Sequence, residues 1–131
     1  MLMAAATAVV LPQTAFADAP APTDYRTEII AITPATSGVE LAVVGGDSFV
    51  RMQVRHGVEA EVVGYVGEPF LRFMPDGEVR ENRASITYHS SRERMGAEVP
   101  AGITRESPPD WVVVAGDGDY SWHDHRSHWM N

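Results

Sequence analysis

The sequence contains no cysteine and no lysine. Without cysteine there is no disulfide, no thiolate metal site and no cysteine nucleophile. That absence does not place the chain in the cytosol, because disulfides are common in exported domains but not required there. All ten basic residues are arginine, which reads as a bias of coding composition; arginine still makes forked contacts to carboxylates. They are outnumbered by eighteen acidic residues, for a net charge of −8. No concentrated basic surface is available, which argues against nucleic acid as a partner. The chain has no G-x-S-x-G elbow, no G-x-G-x-x-G and no P-loop, so the usual sequence signatures of serine hydrolases and nucleotide-binding enzymes are missing. No stretch long enough for a substantial helix sustains a 3.6-residue apolar period.

What remains is a chain of 131 residues, 44% apolar and 21% charged, enough for one domain with a real core. The uncharged opening MLMAAATAVVLPQTAFA ends in Ala15-Phe16-Ala17, a small-x-small cleavage pattern. It predicts a signal peptide over 1–17, followed by a flexible, proline-rich lead-in over 18–23. It is shorter than the roughly 20 apolar residues that a membrane span needs. No basic residue precedes the apolar stretch, which a start codon assigned too late would explain.

From residue 24 onward the pattern is one of short strands and turns. YRTEIIAIT (25–33) is β-branched and stops at Pro34. VELAVVG (39–45) and SFVRMQVR (48–55) alternate with period two around a GGD turn, which predicts Val50, Met52 and Val54 on the core side. VEAEVVGYV (58–66) follows, with Glu59 and Glu61 facing outward. EPFLRFMPDGEVREN reads as a hairpin turning at Pro75-Asp76-Gly77. Residues 82–110 read as a long irregular loop, DWVVVA (110–115) as a buried strand, GDGD (116–119) as a hairpin turn, and YSWHDHRSHW (120–129) as the last strand. Strands at roughly ten-residue spacing predict an all-β fold, an immunoglobulin-like or cupredoxin-like sandwich of about seven strands over 24–131.

Three of the five histidines fall at the end of the chain, as His123, His125 and His128, flanked by Trp122 and Trp129 and followed by Met130. In a strand, His123 and His125 project from one face. His128 joins them only if the chain bends near Arg126–Ser127, and the polar tetrad Asp124–Ser127 favours such a bend. Two or three imidazoles with the Met130 thioether would suit copper; imidazoles with Asp124 would suit zinc. The competing reading is a half-buried aromatic strand in which Asp124 pairs with Arg126 or orients a histidine. His56 and His89 are candidate remote ligands, although lone histidines are more often solvated or hydrogen-bonded.

Weaker signals are the GDGDY turn, which lacks the rest of a calcium loop, and the carboxylates Glu68 and Asp76, whose separation the sequence does not fix. Tyr65, Phe70 and Phe73 could form a partner-binding face or a core.

Taken in order, DYRTEI, VVGGDSF, GYVGEPFLRFMPDGEVREN, PPDW and WHDHRSHWM resemble an uncharacterised bacterial family of exported, membrane-anchored proteins common in high-GC Gram-positives. The resemblance runs from about Asp24 to the end of the chain, and the WHDHRxHWM block is its most specific part. It implies an export signal, a β-rich ectodomain, and sequence beyond the block ending in a transmembrane anchor, so the chain is expected to be truncated at its C-terminus. It implies no particular activity. The sequence thus leads to a non-enzymatic, exported cell-envelope domain of unspecified role, with His123 and His125 as candidate ligands for copper or zinc and His128 and Met130 as secondary ones. The first alternative is a structural or protein-interaction ectodomain without metal. The second is a hydrolase using His123 or His125 with Asp124 or a nearby carboxylate.

Overall fold

A computed structural model describes residues 25–93 and 95–127. The expected signal peptide and lead-in, together with His128, Trp129 and Met130, lie outside the described residues.

Seven strands form two antiparallel sheets, an all-β sandwich as the turn spacing predicts. The three-stranded sheet has the order β1-β2-β7, from β1 (Val39–Val44), β2 (Phe49–Val54) and β7 (Asp119–His123). The four-stranded sheet has the order β3-β4-β5-β6, from β3 (Ala60–Val63), β4 (Pro69–Phe73), β5 (Val79–Asn82) and β6 (Trp111–Ala115). Two of the three predicted hairpins are present. β1 and β2 pair from Val39–Val54 to Val44–Phe49 around Gly45 and Gly46, which adopt φ of 70° and 79°. β4 and β5 pair around the Pro75-Asp76-Gly77 turn, closed by Met74 N–H to Glu78 O at 2.8 Å.

The period-two pattern sets the faces. Met52 and Val54 enter the core, Val50 packs against it, and Glu59 and Glu61 stay exposed. Across the sandwich they meet Phe70, Leu71, Phe73 and Val79, and Trp122 fills the end of the three-stranded sheet. Phe70 and Phe73 are therefore core residues, 1% and 0% exposed, and form no partner-binding face.

Four expectations are corrected. YRTEIIAIT (25–33) is not a strand: Thr27 N–H bonds Gly46 O at 3.1 Å, but the segment joins no sheet and Ile30 is 97% exposed. β-branched residues favour a pleated surface only where a neighbouring strand supplies the ladder. The 82–110 loop contains a short helix, α1 (Ile86–Ser90), with Ser85 as its N-cap. DWVVVA is only partly buried: Val114 and Ala115 pack against the core, whereas Val112 and Val113, on an edge strand, are 39% and 56% exposed. The GDGD segment is not a hairpin turn: it carries the chain from β6 in one sheet to β7 in the other. Gly118 is required there. It has φ 72°, and a Cβ would collide with the Val54 carbonyl oxygen, which sits against this turn.

Asn82 explains how β5 and β6 become neighbours across the long loop. Its Oδ1 accepts from Ala84 N and Asp110 N at 3.0 and 2.9 Å, while its Nδ2 donates to Pro69 O at 2.7 Å. Arg83 N–H to Asp110 O, at 2.7 Å, pins the two ends of the loop side by side. Among the described residues no helix is long and apolar enough to cross a membrane.

Candidate functional site

The WHDHR block sits where β7 leaves its sheet. The strand ends at His123, paired with Phe49, and a turn over Asp124–Ser127 follows, closed by Ser127 N–H to Asp124 O at 3.0 Å. The last strand thus stops at His123 instead of continuing through 124–127 as its composition predicts, because the polar tetrad that allows a bend forms this turn. His123 and His125 do not share a strand, yet the turn keeps them together, with ring centroids 5.0 Å apart and the rings nearly perpendicular.

Asp124 is the hub of the block, 3% exposed. Its carboxylate accepts from the Trp122 indole N–H at 2.9 Å, the Arg126 backbone N–H at 3.0 Å, and Arg126 Nε and Nη2 at 2.9 and 2.8 Å. Burial alone would raise its pKa. The hydrogen bonds from Arg126 and Trp122 outweigh burial and hold it below the usual aspartate value. Arg126 reaches further: its Nη1 donates to Val63 O at the end of β3, 3.1 Å away, and its guanidinium lies 5.1 Å from the centre of the Tyr65 ring. One carboxylate thus links the last strand of one sheet to the first strand of the other. This is the pairing with Arg126 that the sequence offered as the structural alternative.

The two imidazoles face a different partner, the chain just beyond α1. His123 Nδ1 lies 2.8 Å from Ser91 O, and His125 Nε2 lies 2.9 Å from Glu93 O. Because the acceptors are carbonyls, these ring nitrogens are the protonated ones. Phe49 packs on His123 at 6.0 Å, and Tyr65 stacks on His125 at 5.8 Å and 22°. The Tyr65 hydroxyl accepts the His125 backbone N–H at 2.9 Å; burial pushes its pKa up to about 12.

Glu68 sets where α1 and its following carbonyls stand. Only 3% exposed, it accepts from Ser85 Oγ, Thr87 N and Thr87 Oγ1 at 2.8–2.9 Å and from Val66 N at 3.1 Å. Burial works against the charge, and these donors overcome it and lower its pKa. Gly64 has no side chain because Glu68 and Thr87 occupy the space a Cβ would take. Asp76 lies at the other end of β4, exposed in the hairpin turn and accepting from Glu78 N at 2.9 Å, so Glu68 and Asp76 form no acid–base pair.

Among the described residues no group of three or more histidine, aspartate or glutamate side chains could hold a metal ion. His89 lies in α1, with Nε2 2.9 Å from Arg83 O and its ring against Tyr88; exposed His56 borders Gly77 of the β4–β5 turn. Neither completes a ligand set with His123 and His125. Sequence reasoning missed the carbonyls of Ser91 and Glu93, and it named Tyr65 and Glu68 without the roles they take here. A backbone carbonyl has no sequence signature, and Tyr65 reads equally as core.

The chain matches no protein-family model, no curated protein and no solved structure. Fold and site geometry therefore carry the functional reading.

Proposed function

We propose that this chain is an exported cell-envelope β-domain acting as a structural and interaction module, with the Trp122–Arg126 block as the clasp between its sheets. One observation carries the reading: the Asp124 carboxylate is buried and taken up by Trp122 and Arg126, with Arg126 bound across to Val63. A hydrolytic role would need this carboxylate and the histidines turned toward a substrate. Here the carboxylate faces its own indole and guanidinium, and each histidine has a ring nitrogen on a backbone carbonyl. Export rests on the cleavage pattern Ala15-Phe16-Ala17.

A second reading, copper or zinc binding through His123 and His125 with His128 and Met130, draws support from the 5.0 Å approach of the two imidazoles. A metal would take His123 Nε2 and His125 Nδ1, the nitrogens opposite those on the carbonyls.

Metal analysis of the purified protein beside His123→Ala/His125→Ala, with thermal melts of both, separates the two. The clasp reading expects equal, substoichiometric metal in both and a lower Tm in the variant. Stoichiometric copper or zinc lost on substitution would replace it with the metal reading.

A further inference from the structure

Every sheet has two edges, and an edge presents backbone donors and acceptors to any passing strand unless something blunts it. Three of the four edges here are blunted. The β3 edge is short, carries Glu61 outward, shifts register at Val62/Val63, and has its Val63 carbonyl taken by Arg126. The β1 edge carries an outward Glu40, and just past its end Gly46 O accepts the Thr27 N–H of the segment that precedes the strand. The β7 edge carries Asp119, bridged to Arg51, and His123, bonded to the Ser91 carbonyl.

The β6 edge is different. Trp111-Val112-Val113-Val114-Ala115 contains no charge and no proline, and Val112 and Val113 are exposed. Among the described residues, no backbone hydrogen bond outside the strand ladder uses any residue of β6. Its flanks are acidic: Asp110 on one side and Asp117 on the other. Those flanks select the occupant. A second copy paired antiparallel about Val113 would bring Asp110 of each chain beside Asp117 of the other, placing like charges together at both ends. A strand with apolar residues between basic ends would meet the edge with opposite charges, and the net charge of −8 steers the same way.

We propose that β6 is a β-augmentation edge that accepts an extended segment of a partner protein, apolar in the middle and basic at both ends. The proposal rests on the interaction-module reading and names its surface and the chemistry of its partner.

The test uses the full chain, labelled for amide NMR, titrated with the peptide Lys-Lys-Val-Thr-Val-Thr-Val-Lys-Lys and with its twin carrying glutamate in place of lysine. The expected result is shift changes confined to 111–115 and the neighbouring β5. Affinity should be about tenfold weaker for the glutamate twin, the scale set by several exposed charge pairs changing sign. Val113→Lys should weaken the lysine peptide by a similar factor while leaving the remaining amide spectrum unchanged. Added salt should weaken the same peptide on the unaltered chain. Equal binding of both peptides, or no shift at 111–115, overturns the proposal. Concentration-dependent self-association through β6 overturns it in favour of a second copy. Shifts confined to another surface overturn the β6 assignment and leave the interaction-module reading standing.

Discussion

β6 and β7 are consecutive strands separated only by Gly116-Asp117-Gly118, yet they finish in opposite circumstances. The end of β7 is tied down: Trp122 is 6% exposed, Asp124 accepts from the indole and the guanidinium, and the histidines rest on the Ser91 and Glu93 carbonyls. β6 is apolar, at an edge, with Val113 56% exposed. Composition does not separate them. The valine-rich strand is the bare one, and the strand leading into histidine, aspartate and arginine is the anchored one. A polar side chain is buried where its partners converge, and an apolar one stays exposed where no second layer covers it.

The contrast makes stability predictions that differ by strand. The largest effect belongs to Trp122→Ala, which removes core packing and a buried donor's host together. It should cost about 3–5 kcal/mol, read as a fall in denaturant midpoint. Asp124→Ala follows: it leaves the indole N–H of Trp122 without its acceptor and should cost about 1–3 kcal/mol by the same measurement. A loss as small as that of a surface substitution would remove the clasp from the account.

The pH dependence sharpens the picture, because two of the buried carboxylates, Asp124 and Glu81, are shifted in opposite directions. Asp124 is held below its ordinary value, so its stabilisation is complete above the unfolded-state pKa of about 4 and is lost as pH falls through the folded-state value. Glu81, facing Tyr120 across the sheets and Arg83 beside it, is raised: burial outweighs Arg83 and the Tyr120 hydrogen bond. Its protonated form is the one the fold favours. Stability from this group is therefore present below the unfolded-state pKa of about 4.3 and is lost as pH rises through the folded value. Melts across pH should show Asp124→Asn flattening the loss on the acid side. Glu81→Gln should melt no lower than the unaltered protein at neutral pH. The smallest effect is Val113→Lys, expected within about 0.5 kcal/mol of the unaltered protein because the side chain is exposed.

Much of the sandwich was legible in advance because strand periodicity is a local property. Val39, Leu41 and Val43 against Glu40 and Ala42 define a face without reference to any other strand. The two hairpins carry their turn residues with them, and the polar Asp124–Ser127 tetrad allowed a bend without fixing where β7 stops. YRTEIIAIT failed for the complementary reason: it has the composition of a strand, yet it meets Gly46 through Thr27 without joining a sheet. α1 escaped notice because five residues are too short for a period to show, and its position depends on Glu68, Ser85 and Thr87 meeting across the β3–β4 connection.

At the site, sequence brought His123, Asp124 and His125 to attention by proximity alone, and correctly offered the Asp124–Arg126 pairing. It could not rank that pairing against metal ligation, since both need the same residues. By itself the sequence determined an all-β domain of alternating strands and its two hairpins, because each follows from neighbours in the chain. Only the tertiary structure decided that the Asp124 carboxylate faces Trp122 and Arg126, that the imidazoles meet the Ser91 and Glu93 carbonyls, and that β6 lies at an edge. Those outcomes depend on which distant segments arrive beside them, and no local pattern encodes that arrival.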